Sequence, residues 1–446
     1  MFVALAVILL ISTAVLTASP DISNTVMTPG RTESELNFAW QTPAGTVASS
    51  AVQVALKPGT TGADFPEDTA ETFTGKTGTF ADGRISHKVS VGGLTPSTNY
   101  VYRLGTGLAG EWSETCGFST RDSELYNILL VGDVQIGTKN IDDDTIGWMD
   151  TLNKALQKAP DAAFILSVGD QVESSDQDEY DGFLSLSQFK NLPFVPTIGN
   201  HDNKALFSYH FNTPNESSTL GKTSAGGNYY FTYGNSLFIV INSNSLNYGQ
   251  HKIFIHDAVK KHSDARWKIV MMHHSIYVPD FPRFETRELR KNFIPIFDKY
   301  GIDVVLSGHD HIYVRTHFMR DDRIVQPLEK FPARSRPPAK IPAGAVIKPN
   351  GTLYLEAATS GSKYYDPASQ YFDYIAERAA PYVPMFSRIN ITDTSFEIVT
   401  WKTDSTDPMD RFVMVKADAQ GDLWIIFATG LICCAIAALI IWKRLR

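Results

Sequence analysis

Apolar positions follow two regimes along this chain. Over residues 22–121 they alternate: Leu36, Phe38 and Trp40, then Val52, Val54 and Leu56, then Val101 and Leu104 around Tyr100 and Tyr102. Glycine, proline and threonine clusters separate these runs. Such period-two patterning predicts short antiparallel strands with one buried face. From residue 126 the pattern changes. Five apolar, β-branched runs each stop on a side chain able to ligate a metal. Residues 127–133 end on Asp133, 163–170 on Asp170, 194–202 on Asn200, His201 and Asp202, 267–274 on His273 and His274, and 302–311 on His309 and His311. Continuous apolar runs fit parallel strands buried on both faces. Ligand sites in open α/β sheets lie outside the carboxyl ends of such strands, so the five endings are expected to converge. Helices are predicted between them at Asp150–Ala159, stopped by Pro160, at Phe254–His262 and at Glu288–Tyr300.

At 446 residues the chain is too long for one ordinary core, and the patterns divide it accordingly. Residues 22–121 are expected as an all-β domain and 126–402 as an α/β domain. Gly93–Arg103, with Leu94, Pro96, Thr98, Tyr100 and Tyr102, resembles the fibronectin type III pattern leading into a tyrosine corner. Residues 320–349 are rich in proline and basic side chains and predict an exposed loop. Residues 403–422, with Asp404, Asp407, Asp410, Asp418 and Asp422, read as a polar stalk.

Composition adds little until the two ends are considered. The chain is 43% hydrophobic and 20% charged, ordinary for folded protein, and a formal charge of −8 argues against nucleic acid as the main partner. Residues 1–19 pattern as a signal peptide without a basic start, so an uncleaved anchor is the alternative. Residues 423–442 contain no charge and precede Lys443, Arg444 and Arg446. A helix of that length spans ~30 Å, a bilayer core, with 443–446 as a cytoplasmic tail. The expected localisation is a single-pass membrane protein whose other domains are extracellular or luminal. Of three cysteines, only Cys116 lies outside the expected membrane run, so no disulfide within the ectodomain is expected.

The order Asp, Asp, Asn-His, His, His-x-His supplies oxygen and nitrogen donors for two metal ions. Carboxylate, amide and imidazole donors without thiolates suit Fe, Zn or Mn over calcium or a structural zinc. Asp170 is the natural bridge, with Asp133 and His311 on one ion and Asn200, His273 and His309 on the other. A water held by such ions falls to a pKa of ~7 and becomes a hydroxide nucleophile. His201, beside Asn200, is placed as a general acid toward a leaving oxygen. His274 reads as a core histidine rather than a ligand.

The set Gly132-Asp133, Gly169-Asp170, Gly199-Asn200-His201-Asp202, Val270-x-x-His273 and Gly308-His309-x-His311 resembles the calcineurin-like metallophosphoesterases. With the β-domain in front, the chain is most similar to the purple acid phosphatases. Ser275-x-Tyr277 and Tyr313-x-Arg315 echo the same family. The resemblance covers about residues 22–402. It implies an α/β sandwich of two sheets flanked by helices behind an all-β sandwich, a dinuclear metal site and phosphate-ester hydrolysis. Two positions depart from the pattern. Glu173 stands where purple enzymes have a tyrosine that ligates ferric iron, so no visible colour is expected. Gln135 stands where other members have histidine. A microbial subgroup shares this glutamine, which makes Gln135 a candidate amide ligand.

The expected function is therefore a membrane-anchored, outward-facing phosphoesterase that hydrolyses small phosphomonoesters. A phosphodiesterase or nucleotide-cleaving enzyme of the same fold is the alternative within the class. An inactive surface binding or adhesion protein is the alternative outside it.

Overall fold

The computed structural model describes residues 21–417, apart from 47–48, 60–63, 108–110, 279–283, 334 and 368. The alternating segment folds as two four-stranded antiparallel sheets. One is built on strands Ser23–Pro29, Leu36–Thr42 and Ile85–Val91, the other on Ala51–Leu56, Asn99–Gly105 and Cys116–Ser119. Phe38, Trp40, Val52, Val54, Tyr102 and Phe118 meet between them. The Tyr100 hydroxyl accepts the Thr95 backbone N–H at 2.9 Å, five residues upstream, as a tyrosine corner requires.

The second unit stacks two seven-stranded sheets face to face. In the first, Tyr126–Val131, Ile165–Ser167 and Phe194–Val195 are parallel neighbours. In the second, Ser236–Ile241, Trp267–Met272, Val304–Ser307 and Leu353–Glu356 run parallel. The five apolar runs are thus shared between two sheets. Alternate residues show why they are apolar on both faces. Ile128 and Leu130 pack into the core between the sheets with Phe164, Phe238 and Trp267. Leu129 and Val131 pack outward under Trp148 and Leu152 of helix Ile141–Lys158 and Phe183 of helix Gln177–Leu184. Helices Tyr248–Lys261 and Phe284–Tyr300 cover the other sheet. Every strand that feeds the site is therefore sandwiched, and its carboxyl end has little freedom.

Polar contacts dock the two units. Gln41 Nε2 donates to His210 Nδ1 at 2.8 Å, Ser86 Oγ to the Tyr209 carbonyl at 2.7 Å, and Tyr102 Oη to the Lys190 carbonyl at 2.8 Å. Arg84 pairs with Asp181 at 3.1 Å.

Several expectations need correction. The helices start earlier than their apolar periodicity indicates. Asn140 and Asn247 cap them by accepting the N–H groups of Asp143 and Gln250, so polar first turns are helical too. The expected stalk at 403–422 is partly sheet. Asp410–Val415 pairs antiparallel with Ser395–Lys402, and Asp410 is neutralised by Arg315 at 2.7 Å. The expected single-pass membrane localisation is also corrected. Among the described residues no helix is long and apolar enough to cross a membrane. The two runs on which that expectation rested, 1–19 and 423–442, lie outside the described residues.

Candidate metal centre

The loops after the five strands meet at the carboxyl ends of the strands of both stacked sheets. Asp133, Gln135, Asp170 and Asn200 come from the first sheet, and His273, His309 and His311 from the second. Asn200 Oδ1 lies 3.0 Å from both His273 Nε2 and His309 Nδ1. His273 Nε2 lies 3.2 Å from Asp170 Oδ2, and His311 Nε2 lies 3.6 Å from Asp133 Oδ1. Among the described residues, one ligand atom each of Asp170, His273 and His309 fall within 4.8 Å of one another. His201 stands at the rim, its Nε2 4.0 Å from Asp170 Oδ2.

Local backbone explains how strand ends become a cluster. Asp133, Gln135, Asp170, His309 and His311 all have left-handed φ, between 47° and 85°. Non-glycine residues rarely adopt this region, and each such residue costs on the order of 1–3 kcal/mol. The turns reverse the side chains toward one point. Glycine is required beside them: a Cβ on Gly199 would collide with Asp170 Oδ1, and one on Gly308 with Asp133 Oδ2. Backbone groups then aim each ligand. The Val168 carbonyl accepts His273 Nδ1–H at 2.9 Å, which turns Nε2 inward. The Lys363 carbonyl does the same for His311 at 2.8 Å, and the Glu173 carbonyl for His201 at 2.5 Å. Asp202 is fully buried and accepts the N–H groups of Gly199 and Gln171, bracing the Asn200 turn.

The electrostatics favour a cation. Burial, then the neighbouring Asp170, pushes the Asp133 carboxyl well above the usual carboxylate range. Burial would raise Asp170 also, but the His273 imidazole holds it below that range. Burial would lower His273, yet Asp170 and Asp133 raise it to about 10. Two buried carboxylates thus concentrate negative potential where the imidazole nitrogens converge. Gln135 Oε1 is buried and has no hydrogen-bond partner among the described residues, an arrangement that costs on the order of 1–3 kcal/mol unless a ligand supplies one. These donors fit a dinuclear centre. Asp133, Gln135 and His311 could hold one ion, Asn200, His273 and His309 the other, with Asp170 between. His274 belongs to the core, its Nδ1 2.8 Å from Ser243 Oγ.

Other neighbours were not read from the sequence. Strand Leu353–Glu356 is a sixth apolar run, and Thr359, Ser360 and Lys363 follow it along the Asp133 loop. Thr359 Oγ1 donates to the Asp133 carbonyl at 2.8 Å, and the Ser360 N–H to the Gly132 carbonyl at 2.6 Å. The signal was present, a buried strand followed by small polar residues, but Thr359 and Ser360 act there through hydroxyl and backbone groups rather than as metal ligands. Glu173, at the position of the family's tyrosine, pairs with Lys363.

Comparison with known proteins agrees with this geometry. Residues 126–313 match the calcineurin-like phosphoesterase family, and residues 22–120 match the purple acid phosphatase N-terminal domain. The chain thus joins a calcineurin-like phosphoesterase domain to a purple acid phosphatase N-terminal domain. Several of its relatives are named acid phosphatases. It is 25% identical over 275 residues to acid phosphatase type 7 of Mus musculus, covering 53% of this chain and 59% of the relative. It is 28% identical over 255 residues to purple acid phosphatase 1 of Ipomoea batatas, covering 52% and 51%. The match to these curated relatives thus spans between half and three fifths of their length. The fold resembles a purple acid phosphatase from yellow lupin (Lupinus luteus) seeds, with a TM-score of 0.71 and 16% identity over 91% of this chain and 76% of that one. Together these findings agree with the two-domain fold and with the cluster of metal-ligating side chains described above.

Proposed function

We propose that this chain hydrolyses phosphomonoesters at a dinuclear metal centre. The observation that carries the reading is the convergence, from two sheets, of two buried carboxylates, an asparagine oxygen and three inward-turned imidazole nitrogens. The acid phosphatase names of its relatives support a monoester substrate. When bound, the ions would neutralise phosphoryl oxygens and activate a water.

The chain's own residues then have separable tasks. Asp170, between the two halves of the site, fixes their spacing. Val168 and Lys363 hold the tautomers of His273 and His311, so that both present Nε2. His201 is 28% exposed and faces the cleft, whereas His273 and His311 are buried. Because Glu173 fixes its Nδ1–H, Nε2 is the atom available to protonate the leaving oxygen.

Hydrolysis of an aryl phosphate and a bis-aryl phosphate, after loading with Mn, Zn or Fe, tests this function. Preferential monoester turnover is expected. Selective diester turnover would move the substrate class to phosphodiesters. No turnover with any of the three metals would favour a binding protein.

A further inference from the structure

The two carbonyls that orient His201 and His311 belong to residues whose side chains grip each other. Lys363 Nζ donates to both carboxylate oxygens of Glu173, at 3.0 Å each. The Glu173 carbonyl accepts from His201 Nδ1 at 2.5 Å, and the Lys363 carbonyl from His311 Nδ1 at 2.8 Å. A carbonyl can only accept, so both rings carry their proton on Nδ1 and turn Nε2 to the cleft. His311 Nε2 then faces Asp133 at 3.6 Å, and His201 Nε2 faces Asp170 at 4.0 Å. Residues 190 apart in sequence thus join an unbroken chain of contacts: imidazole, carbonyl, ion pair, carbonyl, imidazole.

This chain of contacts is tied into the ligand turns. Thr138 Oγ1 shares its one proton between the Gln135 carbonyl, at 2.9 Å, and Glu173 Oε2, at 3.2 Å. The Glu173 N–H donates to the Ile136 carbonyl at 2.9 Å. On the other side, Ser362 Oγ donates to Asp144 Oδ1 at 2.7 Å. Tyr365 stacks on His311, ring centres 4.3 Å apart. Glu173 occupies the position where the family's purple members place a metal-ligating tyrosine, and here Lys363 engages both of its oxygens.

We propose that the Glu173–Lys363 ion pair is a latch that positions His201 and His311 together, coupling the general acid to one half of the metal centre. The proposal rests on the phosphoesterase reading of the site. Glu173 and Lys363 are positioning residues in it, with no contact to substrate. An ion pair 21–26% exposed contributes little to global stability, but a misplaced ring can cost a large rate factor. Breaking either side should therefore act alike on both histidines.

The test compares Lys363→Met, Glu173→Gln, Lys363→Arg and the swapped pair Glu173→Lys with Lys363→Glu. Two measurements are made: Mn2+ binding by calorimetry, and kcat and KM for an alkyl and an aryl phosphate. The latch predicts that Lys363→Met and Glu173→Gln both weaken one Mn2+ site about tenfold and lower kcat about tenfold, with KM changed little. Lys363→Arg and the swapped pair should restore much of both. If Lys363 instead binds the phosphate itself, Lys363→Met raises KM with kcat kept, and Glu173→Gln, which frees the lysine, does not impair the enzyme. That outcome overturns the latch, as does a swapped pair no better than the single variants. If Lys363→Met fails to fold, Lys363→Arg and the swapped pair still decide. A wild-type chain that binds Mn2+ but hydrolyses neither ester overturns the phosphoesterase reading instead, while the calorimetric comparison still judges the latch.

Discussion

His273 Nε2 lies 3.2 Å from Asp170 Oδ2, although the two residues come from different sheets. Both are buried, and Asp170 lies between the two groups of candidate ligands. Asp170→Ala should therefore release metal from both halves of the site. Loss of several kcal/mol of transition-state stabilisation corresponds to a fall in kcat on the order of 10³-fold. Elemental analysis beside a rate assay checks this; a variant that keeps its metal and most of its rate would remove Asp170 from the bridging position.

His201→Ala separates acid catalysis from metal binding. Positioned general acids contribute roughly 10²–10⁴-fold. The loss should be of that order with an alkyl phosphate and far smaller with a nitrophenyl phosphate, whose leaving group needs no proton. Equal losses on both substrates would assign His201 a different task.

Gln135 offers a buried oxygen with no hydrogen-bond partner among the described residues. If it faces an ion, Gln135→His should tighten one Mn2+ or Zn2+ site, because imidazole is the better donor, and Gln135→Leu should loosen it. Calorimetric titration measures both. Unchanged affinity in each variant would exclude Gln135 from the ligand set.

The centre was legible in the sequence for a physical reason. Strands sandwiched between a core and a helix layer must be apolar throughout, so a run such as Ile128–Val131 followed by Gly-Asp stands out. The glycines were legible too, since Gly199 and Gly308 pass too close to Asp170 and Asp133 to bear a side chain. Which run belongs to which of the two expected sheets was not legible, because buried runs look alike whichever sheet holds them. Nor was the Thr359–Lys363 segment, which acts through carbonyls and hydroxyls that leave no ligand pattern. The acidic run after residue 402 concealed a strand, because Asp410 is matched by an Arg315 almost a hundred residues earlier in the chain.

That pairing predicts a stability effect. Arg315 and Asp410 are both largely buried, their side chains 13% and 9% exposed. Asp410→Ala leaves the guanidinium without its partner and should cost about 3 kcal/mol in urea unfolding. An effect below about 0.5 kcal/mol would mean that strand Asp410–Val415 contributes little to the sandwich.

Acid should loosen the β-domain and its docking face, where two buried histidines resist protonation. Burial lowers His210, at the junction with Gln41, to about 3, and His87, between Thr42 and Ser50, to about 4. Their unfolded values are near 6.5, so below that pH the unfolded chain binds protons that the folded chain refuses. Stability is fully present above pH 6.5 and falls by about 1.4 kcal/mol per pH unit per histidine, to about pH 4 for His87 and about pH 3 for His210. His210→Phe keeps an aromatic ring against Tyr180 and should flatten this acid limb between pH 6 and 4. Thermal unfolding across that range reads it directly, and an unchanged slope would exclude His210 as its source.

The central claim is one dinuclear centre assembled from both sheets and joined at Asp170. Anomalous diffraction from crystals of the chain equilibrated with Mn2+ tests it most directly. Two peaks roughly 3.5–4 Å apart are predicted, one beside Asp133 and His311 and the other beside Asn200, His273 and His309, with Asp170 touching both. A single peak, or peaks that leave Asp170 to one side, would contradict it.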